Sequence, residues 1–526
     1  MKFPAWIAAL LLPALPAAAL DGQVQIHDPS TVVMCAGKFY TYGTGGSPLV
    51  SDDGWTWRRG TVPARAGMAP DVIQVGDRYY MYVARNVGPQ PRADINLIVS
   101  KTLDPASPDY KWEEGGVVAS SDGVEDCNAI DPGALLDPTD GRLWLTYGSY
   151  FGYIRVVELD PKTGKRLHPG DQPVDLAVNC EASIMIYHAG WYYLLATHGS
   201  CCRGADSGYN LRMGRSKKPT GPFLDHTGLD MMLGGGKLFA ESSPRHIGPG
   251  HFGLLDLGAG VQKFSCHYEA DLDRGGASVL DLRPLLWQDE WPVAGDNFTA
   301  GTYEIVSVRT GTALELAVQG VPVGGARGRG GFGGGRGNGR GGPNGGGGTN
   351  AAPGAGPVGE AGGPAGGAPG AGLRGGGGGG GMFGGTGRGP VPPQEVAQVS
   401  TNWPAGSVDV RLANFLDQAQ QKWTFTTVTN AGGYPGGTYF KITLAGTERT
   451  LTAGEDGELH TRPAFTGEPG QLWRVDQLTD GSYRIMPKAD AKTPEPPALS
   501  AIGASFATLG KFNAAGDKQR WRLKAL

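Results

Sequence analysis

Five segments in the first 300 residues share one pattern: a glycine, then a run in which large apolar side chains alternate with small or polar ones. They begin at Gly37-Lys38-Phe39-Tyr40, Gly76-Asp77-Arg78-Tyr79-Tyr80, Gly141-Arg142-Leu143-Trp144, Gly190-Trp191-Tyr192-Tyr193 and Gly260-Val261-Gln262-Lys263-Phe264. Alternation of this kind, as in Trp144-Leu145-Thr146-Tyr147-Gly148, is the period of a half-buried strand. Several segments lead into a second alternating stretch, such as Asn96-Leu97-Ile98-Val99-Ser100, Ile154–Leu159 and Asn210–Gly214. Starts 39 to 70 residues apart, with several short strands to each, fit radial repetition of four-stranded blades better than one continuous sandwich. The pattern predicts an all-β chain whose residues 20–295 form a five-bladed β-propeller.

Just upstream of each repeat, where the innermost strand of a blade would face the central channel, stands an ionisable residue. Asp28, Glu181 and His251 precede their glycines by nine residues, Asp131 by ten and Asp71 by five. Side chains at one phase of a radial repeat converge on the axis, so four acids and a histidine are expected in one end of a central pocket. The plainer reading is that Asp28-Pro29 and Asp131-Pro132 start turns, as Asp-Pro commonly does. Recurrence over several repeats weakens it. His251, in Gly248-Pro249-Gly250-His251, also reads as a structural histidine.

Converging carboxyls suit glycoside hydrolysis with inversion. That reaction needs a protonated carboxyl on the leaving oxygen and, roughly 6.5–9.5 Å away, a carboxylate that activates water on the opposite face of the sugar. A third carboxylate beside the acid raises its proton affinity, because like charges close together do not both ionise cheaply.

Composition narrows the setting. The start, Met1-Lys2, an apolar run from Ala5 to Leu15 and Ala17-Ala18-Ala19, reads as a secretory signal peptide over residues 1–19. No later apolar run reaches the roughly 20 residues that span a bilayer, so the expected location is secreted, extracellular or periplasmic, with no membrane partner. A net charge of −4 lacks the basic surplus of a nucleic-acid binder. Six cysteines (Cys35, Cys127, Cys180, Cys201, Cys202, Cys266) lie in the first 270 residues, and none has zinc-site spacing. Cys201 and Cys202 either bridge each other or pair elsewhere. A bridge between Cys127 and Cys180 would brace two acid-bearing strands, and buried thiols are the alternative.

Six ordered blocks carry a resemblance: Ile26-His27-Asp28-Pro29-Ser30, Ala69-Pro70-Asp71-Val72, Asn128-Ala129-Ile130-Asp131-Pro132-Gly133, Cys180-Glu181-Ala182-Ser183, Cys201-Cys202-Arg203-Gly204 and Gly248-Pro249-Gly250-His251. Over residues 21–295 the chain resembles glycoside hydrolase family 43, especially its α-L-arabinanases. The resemblance implies that Asp28 is the general base, Asp131 a carboxylate that modulates and orients, and Glu181 the general acid. It further implies that His27, Asp71, Asn128, Ser149 and Tyr150 bind substrate, and that His251 helps to hold a calcium ion through water. Met68 stands where arabinanases usually have Trp, Phe252 follows His251 where a polar residue is common, and Ser149-Tyr150-Phe151 matches only approximately. The subsite walls are therefore expected to differ.

Beyond Trp291-Pro292 the pattern changes. Gln421-Lys422-Trp423, Gln471-Leu472-Trp473 and Gln519-Arg520-Trp521 place tryptophans 50 and 48 residues apart. Matching Gly-[Thr/Ser]-Tyr starts occur at Tyr303, Tyr439 and Tyr483. The first start lies 120 residues from its Trp, against 34 and 38 for the others, and Val321–Pro404 spans 84 residues. That tract is nearly all Gly, Ala, Pro and Arg and cannot bury a core. Its Arg-Gly elements (Arg327, Arg329, Arg336, Arg340) also occur in nucleic-acid-binding segments, but in an exported protein a plain flexible insertion is the better reading. Residues 296–526 resemble a ricin-type β-trefoil with a disordered Gly-rich insertion at about 321–404, its Gln-x-Trp elements structural first.

The expected function is a secreted, monomeric, inverting hydrolase of α-1,5-linked L-arabinan or arabino-oligosaccharides from plant cell walls, with no organic cofactor. The alternatives are an exo-acting α-L-arabinofuranosidase or β-xylosidase of the same fold, or a non-catalytic carbohydrate-binding protein.

Overall fold

The computed structural model describes residues 19–318 and 403–526, apart from positions 65, 89–90, 125–126, 151, 455–456 and 490–495. The expected signal peptide up to Ala18, nearly all of the expected Gly-rich insertion, and Phe151 lie outside the described residues.

The five repeats fold into the five blades of a β-propeller. Blade one comprises Asp21–Gly22, Val33–Cys35, Lys38–Gly43, Ser47–Ser51 and Thr56–Arg59; blade two is Met68–Val75, Arg78–Arg85, Arg92–Ser100 and Glu113–Asp122. Blade three is Gly133–Leu136, Leu143–Tyr147, Tyr153–Leu159 and Val174–Val178. Blade four is Glu181–His188, Trp191–His198, Asn210–Ser216 and Lys237–Ala240; blade five is His246–Asp256, Gln262–Asp271, Ala277–Gln288 and Trp291–Ala294. The repeat glycines close the hairpins between first and second strands. At Ala36-Gly37 and Ala189-Gly190 both residues have positive φ, the two-residue turn whose twist matches its strands.

The alternation has a different consequence from the half-buried strands expected, because both faces of each blade are covered. Leu143 and Leu145 pack towards blade two, whereas Trp144 between them packs towards blade four. Tyr192 and Leu194 likewise join the cluster shared with blade three, and Tyr193 and Leu195 the one shared with blade five. Five such inter-blade clusters encircle the axis. The chain start seals the ring. Asp21–Gly22 runs parallel to Thr56–Arg59 of blade one, while Ile26 donates to the Ser278 carbonyl and Val24 accepts from Leu280 of blade five.

Strands from Gly301–Ser307 to Trp521–Ala525 build a second all-β region. Its three Gln-x-Trp elements are equivalent in detail. The indoles of Trp423, Trp473 and Trp521 are fully buried and donate to the carbonyls of Leu314, Leu451 and Leu499 at 2.8, 3.0 and 2.9 Å. Each preceding glutamine is a clamp. Gln421, Gln471 and Gln519 accept backbone N–H bonds from Leu416, Thr466 and Asn513, and donate to Glu315, Thr452 and Ser500, the residues that follow those leucines. Glu315 is thereby spent inside the first unit, where it also pairs with Arg411. A backbone bond from Trp287 to the Thr479 carbonyl and another from Thr479 to the Gly260 carbonyl join this region to blade five.

Because Trp473 fills the core and its N–H is satisfied there, Trp473→Ala should cost about 3–5 kcal/mol in denaturant unfolding. A loss below about 1 kcal/mol would contradict the packing described.

Candidate active site

Within or just before the inner strand of every blade stands a non-glycine residue in the left-handed region: Asp28 (φ 51°), Ala69 (40°), Asp131 (53°), Ala182 (48°) and His251 (54°). This conformation costs an L-residue roughly 1–2 kcal/mol. Its recurrence in all five blades is the structural counterpart of the shared phase in the sequence. Asp28, Asp131 and His251 occupy the kink itself, Glu181 stands one residue before it, and Asp71 two after. Neighbouring chains approach closely there. A Cβ on Gly133 would lie 2.1 Å from the Ser183 carbonyl, and one on Gly250 would lie 2.8 Å from the Tyr209 ring.

Asp28 is enclosed by bases. Its Oδ1 is 2.9 Å from His27 Nδ1 and 3.0 Å from His251 Nε2, and Oδ2 accepts from the Thr44 hydroxyl at 2.5 Å. Its backbone N–H donates to His267 Nδ1 at 2.8 Å. Burial opposes ionisation, but His251 and then His27 outweigh it and hold Asp28 well below the usual carboxylate range. The reciprocal effect raises His251 against its own burial, with the charge of Asp28 the main cause. His27 is also opposed by burial, yet Asp28 and Glu269 raise it to about 10. His267 goes the other way, lowered to about 4 by complete burial, and so remains a neutral acceptor for the Asp28 amide.

Asp131 has the opposite surroundings. Burial raises it to about 8, and the charges of Glu181 and Asp28 push in the same direction against His251. Its Oδ2 accepts from the Ala182 amide at 3.3 Å, beside Glu181. Asp131 therefore keeps its proton near neutrality. Glu181 is oriented by the Ser149 hydroxyl, which donates to Oε2 at 2.6 Å, and by the Tyr209 hydroxyl, which donates to Oε1. Tyr209 in turn stacks on His267 at 6.2 Å between ring centroids, and His267 on His251 at 5.4 Å. A continuous layer of rings thus joins the group that holds Glu181 to those that hold Asp28.

Several expected site residues are brought together here and others are not. His27, Asp28, Asp131, Glu181, Ser149 and His251 form one connected cluster. Tyr150 lies next to Ser149, and its hydroxyl donates to the Thr197 carbonyl at 3.4 Å. Asn128 is buried, and its Oδ1 has no hydrogen-bond partner among the described residues. Asp71 has both oxygens on backbone amides, of Thr31 at 3.0 Å and Ala134 at 2.8 Å. It therefore ties blade one to blade three, and burial raises its proton affinity. Met68 is 40% exposed at the head of blade two. Thr44, Thr197, Tyr209, His267 and Glu269 complete the cluster but were not singled out in the sequence.

The family model for glycosyl hydrolases family 43 matches residues 33–292. The chain is 34% identical over 278 residues to an extracellular exo-α-(1→5)-L-arabinofuranosidase of Cellvibrio japonicus, a match covering 47% of this chain and 80% of the relative. The chain belongs to glycosyl hydrolases family 43. It is thus a glycoside hydrolase, acting on O-glycosyl bonds. A second relative, an extracellular endo-α-(1→5)-L-arabinanase of Bacillus subtilis, is 29% identical over 294 residues, covering 51% of this chain and 87% of its own length. The solved arabinohexaose complex of Cellvibrio cellulosa α-L-arabinanase is 29% identical, with a TM-score of 0.49, covering 52% of this chain and 96% of that one.

The residues around His251 do not fit a calcium ion held by the protein itself. Calcium takes six to eight oxygen ligands, whereas His251 Nε2 is committed to Asp28, and the grouped donors nearest it are His27, Asp28 and His267, two of them imidazoles. Among the described residues, one disulfide joins Cys201 to Cys202. Cys127 and Cys180 are buried and not bridged; the Cys127 thiol donates to the Tyr153 carbonyl, and burial pushes Cys180 up to about 12.

The raised Asp131 has a consequence for this family 43 enzyme that needs no substrate. Between the ordinary value of 3.8 and about 8, the folded protein keeps a proton that the unfolded chain has released. The stabilisation is complete below the lower value and is lost as pH rises through about 8. Asp131→Asn removes this slope, so thermal midpoints measured from pH 4 to 9 should shift in favour of the variant as pH rises. A constant difference across that range would contradict the assignment.

Proposed function

We propose that this family 43 hydrolase is exported and cleaves α-1,5-linked L-arabinan or arabino-oligosaccharides with inversion at the anomeric carbon. The observation that carries the reading is the division of carboxyl environments at one axis. Asp28 stays ionised among His27, His251 and Thr44, whereas burial holds a proton on Asp131, beside Glu181. Environments that push carboxyl proton affinities apart are what separate an acid from a base in one site.

Asp28 acts as the base, taking a proton from the water that attacks the anomeric carbon. Glu181, turned by Ser149 and Tyr209, gives its proton to the departing glycosidic oxygen. Asp131 is fixed beside Glu181 by its bond to the Ala182 amide and modulates and orients the acid from there. His27, partly exposed, offers hydrogen bonds to sugar hydroxyls, and Tyr150 offers an amphipathic ring. Asp71 shapes the pocket by tying blades together.

The substrate is supported by the names of the relatives, both of which act on α-(1→5)-L-arabinosyl linkages, and export by their description as extracellular. Exo action is the second reading, favoured by the 34% identity to an exo-acting relative. We further propose that residues 296–526 form a ricin-type β-trefoil. The three equivalent Gln-x-Trp clamps support this, together with the place of the Gly-rich tract between Leu316 and Val408 of the first unit.

Hydrolysis of linear α-1,5-arabinan followed by NMR should give the β-anomer as first product, with oligosaccharides preceding arabinose for endo action and arabinose alone for exo action. First release of the α-anomer would reject inversion. Absence of turnover on arabinan beside activity on an aryl β-xyloside would reject the substrate.

A further inference from the structure

Blade four carries the Cys201–Cys202 disulfide in the loop between its second and third strands, Trp191–His198 and Asn210–Ser216. A disulfide stabilises a fold mainly by closing loops in the unfolded chain, and the gain grows with loop length. These cysteines are neighbours in sequence, so their bond closes no such loop. Stability does not account for it.

Its position gives another reason. The two sulfurs lie within 4.8 Å of a ring nitrogen of His27 and a carboxylate oxygen of Glu269, and His27 is itself bonded to Asp28. Cys202 is exposed and Cys201 half-buried, so the pair meets solvent at the mouth of the cluster. The loop that presents it is held firmly. Ser207 Oγ donates to the Ser200 carbonyl at 2.8 Å, the Ser207 amide donates to Gly204 at 3.1 Å, and the Ser207 side chain packs so closely on Gly248 of blade five that a Cβ there would lie 2.7 Å from Ser207 Oγ.

We propose that the Cys201–Cys202 disulfide is an apolar wall of the subsite that holds the reacting sugar, in contact with the C–H positions of the furanose ring. The inference rests on the arabinan-hydrolase reading above. Beside the polar groups of His27 and Glu269, the disulfide offers a rigid and polarisable surface. Unlike two thiols, it brings no titratable proton next to the Asp28 carboxylate. It also meets the ring without ordering a flexible side chain, an entropic cost that Met in its place would incur.

The test is a Cys201→Ala/Cys202→Ala double variant assayed on arabinotriose beside the wild-type enzyme. KM should rise about tenfold, the usual scale for losing one apolar contact, while kcat changes by less than about twofold and the thermal midpoint holds. Reduction of the wild-type enzyme by a water-soluble phosphine should raise KM in the same direction without any substitution. That reagent converts the disulfide and one water into two thiols and a phosphine oxide. An unaltered KM in both preparations, or a lowered thermal midpoint as the only change, would overturn the proposal. Wild-type enzyme that does not turn over arabinan or its oligosaccharides would reject the function and the wall together, whereas normal wild-type turnover with unaltered KM in the variant rejects the wall alone.

Discussion

Bringing Asp28, Asp131, Glu181 and His251 to one buried axis is costly unless their charges are mutually compensated, since an unpaired ionised carboxyl out of water is strongly disfavoured. The propeller resolves this asymmetrically. Asp28 receives two imidazoles and a hydroxyl and stays charged. Asp131, fully buried and beside Glu181, retains a proton instead, against the charge of His251. The arrangement that makes burial tolerable also places an ionised carboxylate and a protonated carboxyl at one axis, the two states that inverting hydrolysis combines.

Backbone geometry sets up that electrostatic pattern. Five left-handed kinks, one per blade, turn the heads of the inner strands towards the axis, and the close approach of strands at Gly133 and Gly250 leaves no space for a Cβ. The surrounding groups hold the geometry. Thr44 bridges blades one and two by donating to Asp28 and accepting from the Ala69 amide. Asp71 ties blades one and three, and Thr197 of blade four accepts from the His251 amide of blade five. Each ties a kink, or the strand beside it, to another blade.

Much of this was legible in the sequence, for identifiable reasons. Glycine-led alternation repeats often enough to count the blades, and Asp28, Asp131 and His251, nine or ten residues before their glycines, stand at the kink itself. Glu181, also nine residues before its glycine, sits one residue before the kink and Asp71 two after it, so spacing alone does not distinguish an acid facing the pocket from one bonded to backbone amides. His267 and Glu269 were missed because Lys263, Ser265, His267, Glu269 and Asp271 alternate like a solvent-facing side of a strand, yet all five are buried. Tyr209 follows a loop whose path depends on contacts with blade five, which no local pattern encodes. The Gln-x-Trp spacing exposed the three units of the C-terminal region, because each indole and glutamine serves the same local turn.

The central claim is that Glu181 supplies the proton to the leaving group while Asp28 works on the water. It is tested most directly by comparing Glu181→Gln with the wild-type enzyme on two arabinosides, one with an alkoxide-like leaving group and one with an activated nitrophenolate that departs without protonation. The account predicts a loss of about 10²–10⁴-fold on the first substrate and near-normal turnover on the second. Equal losses on both, or near-normal turnover on the unactivated substrate, would contradict it.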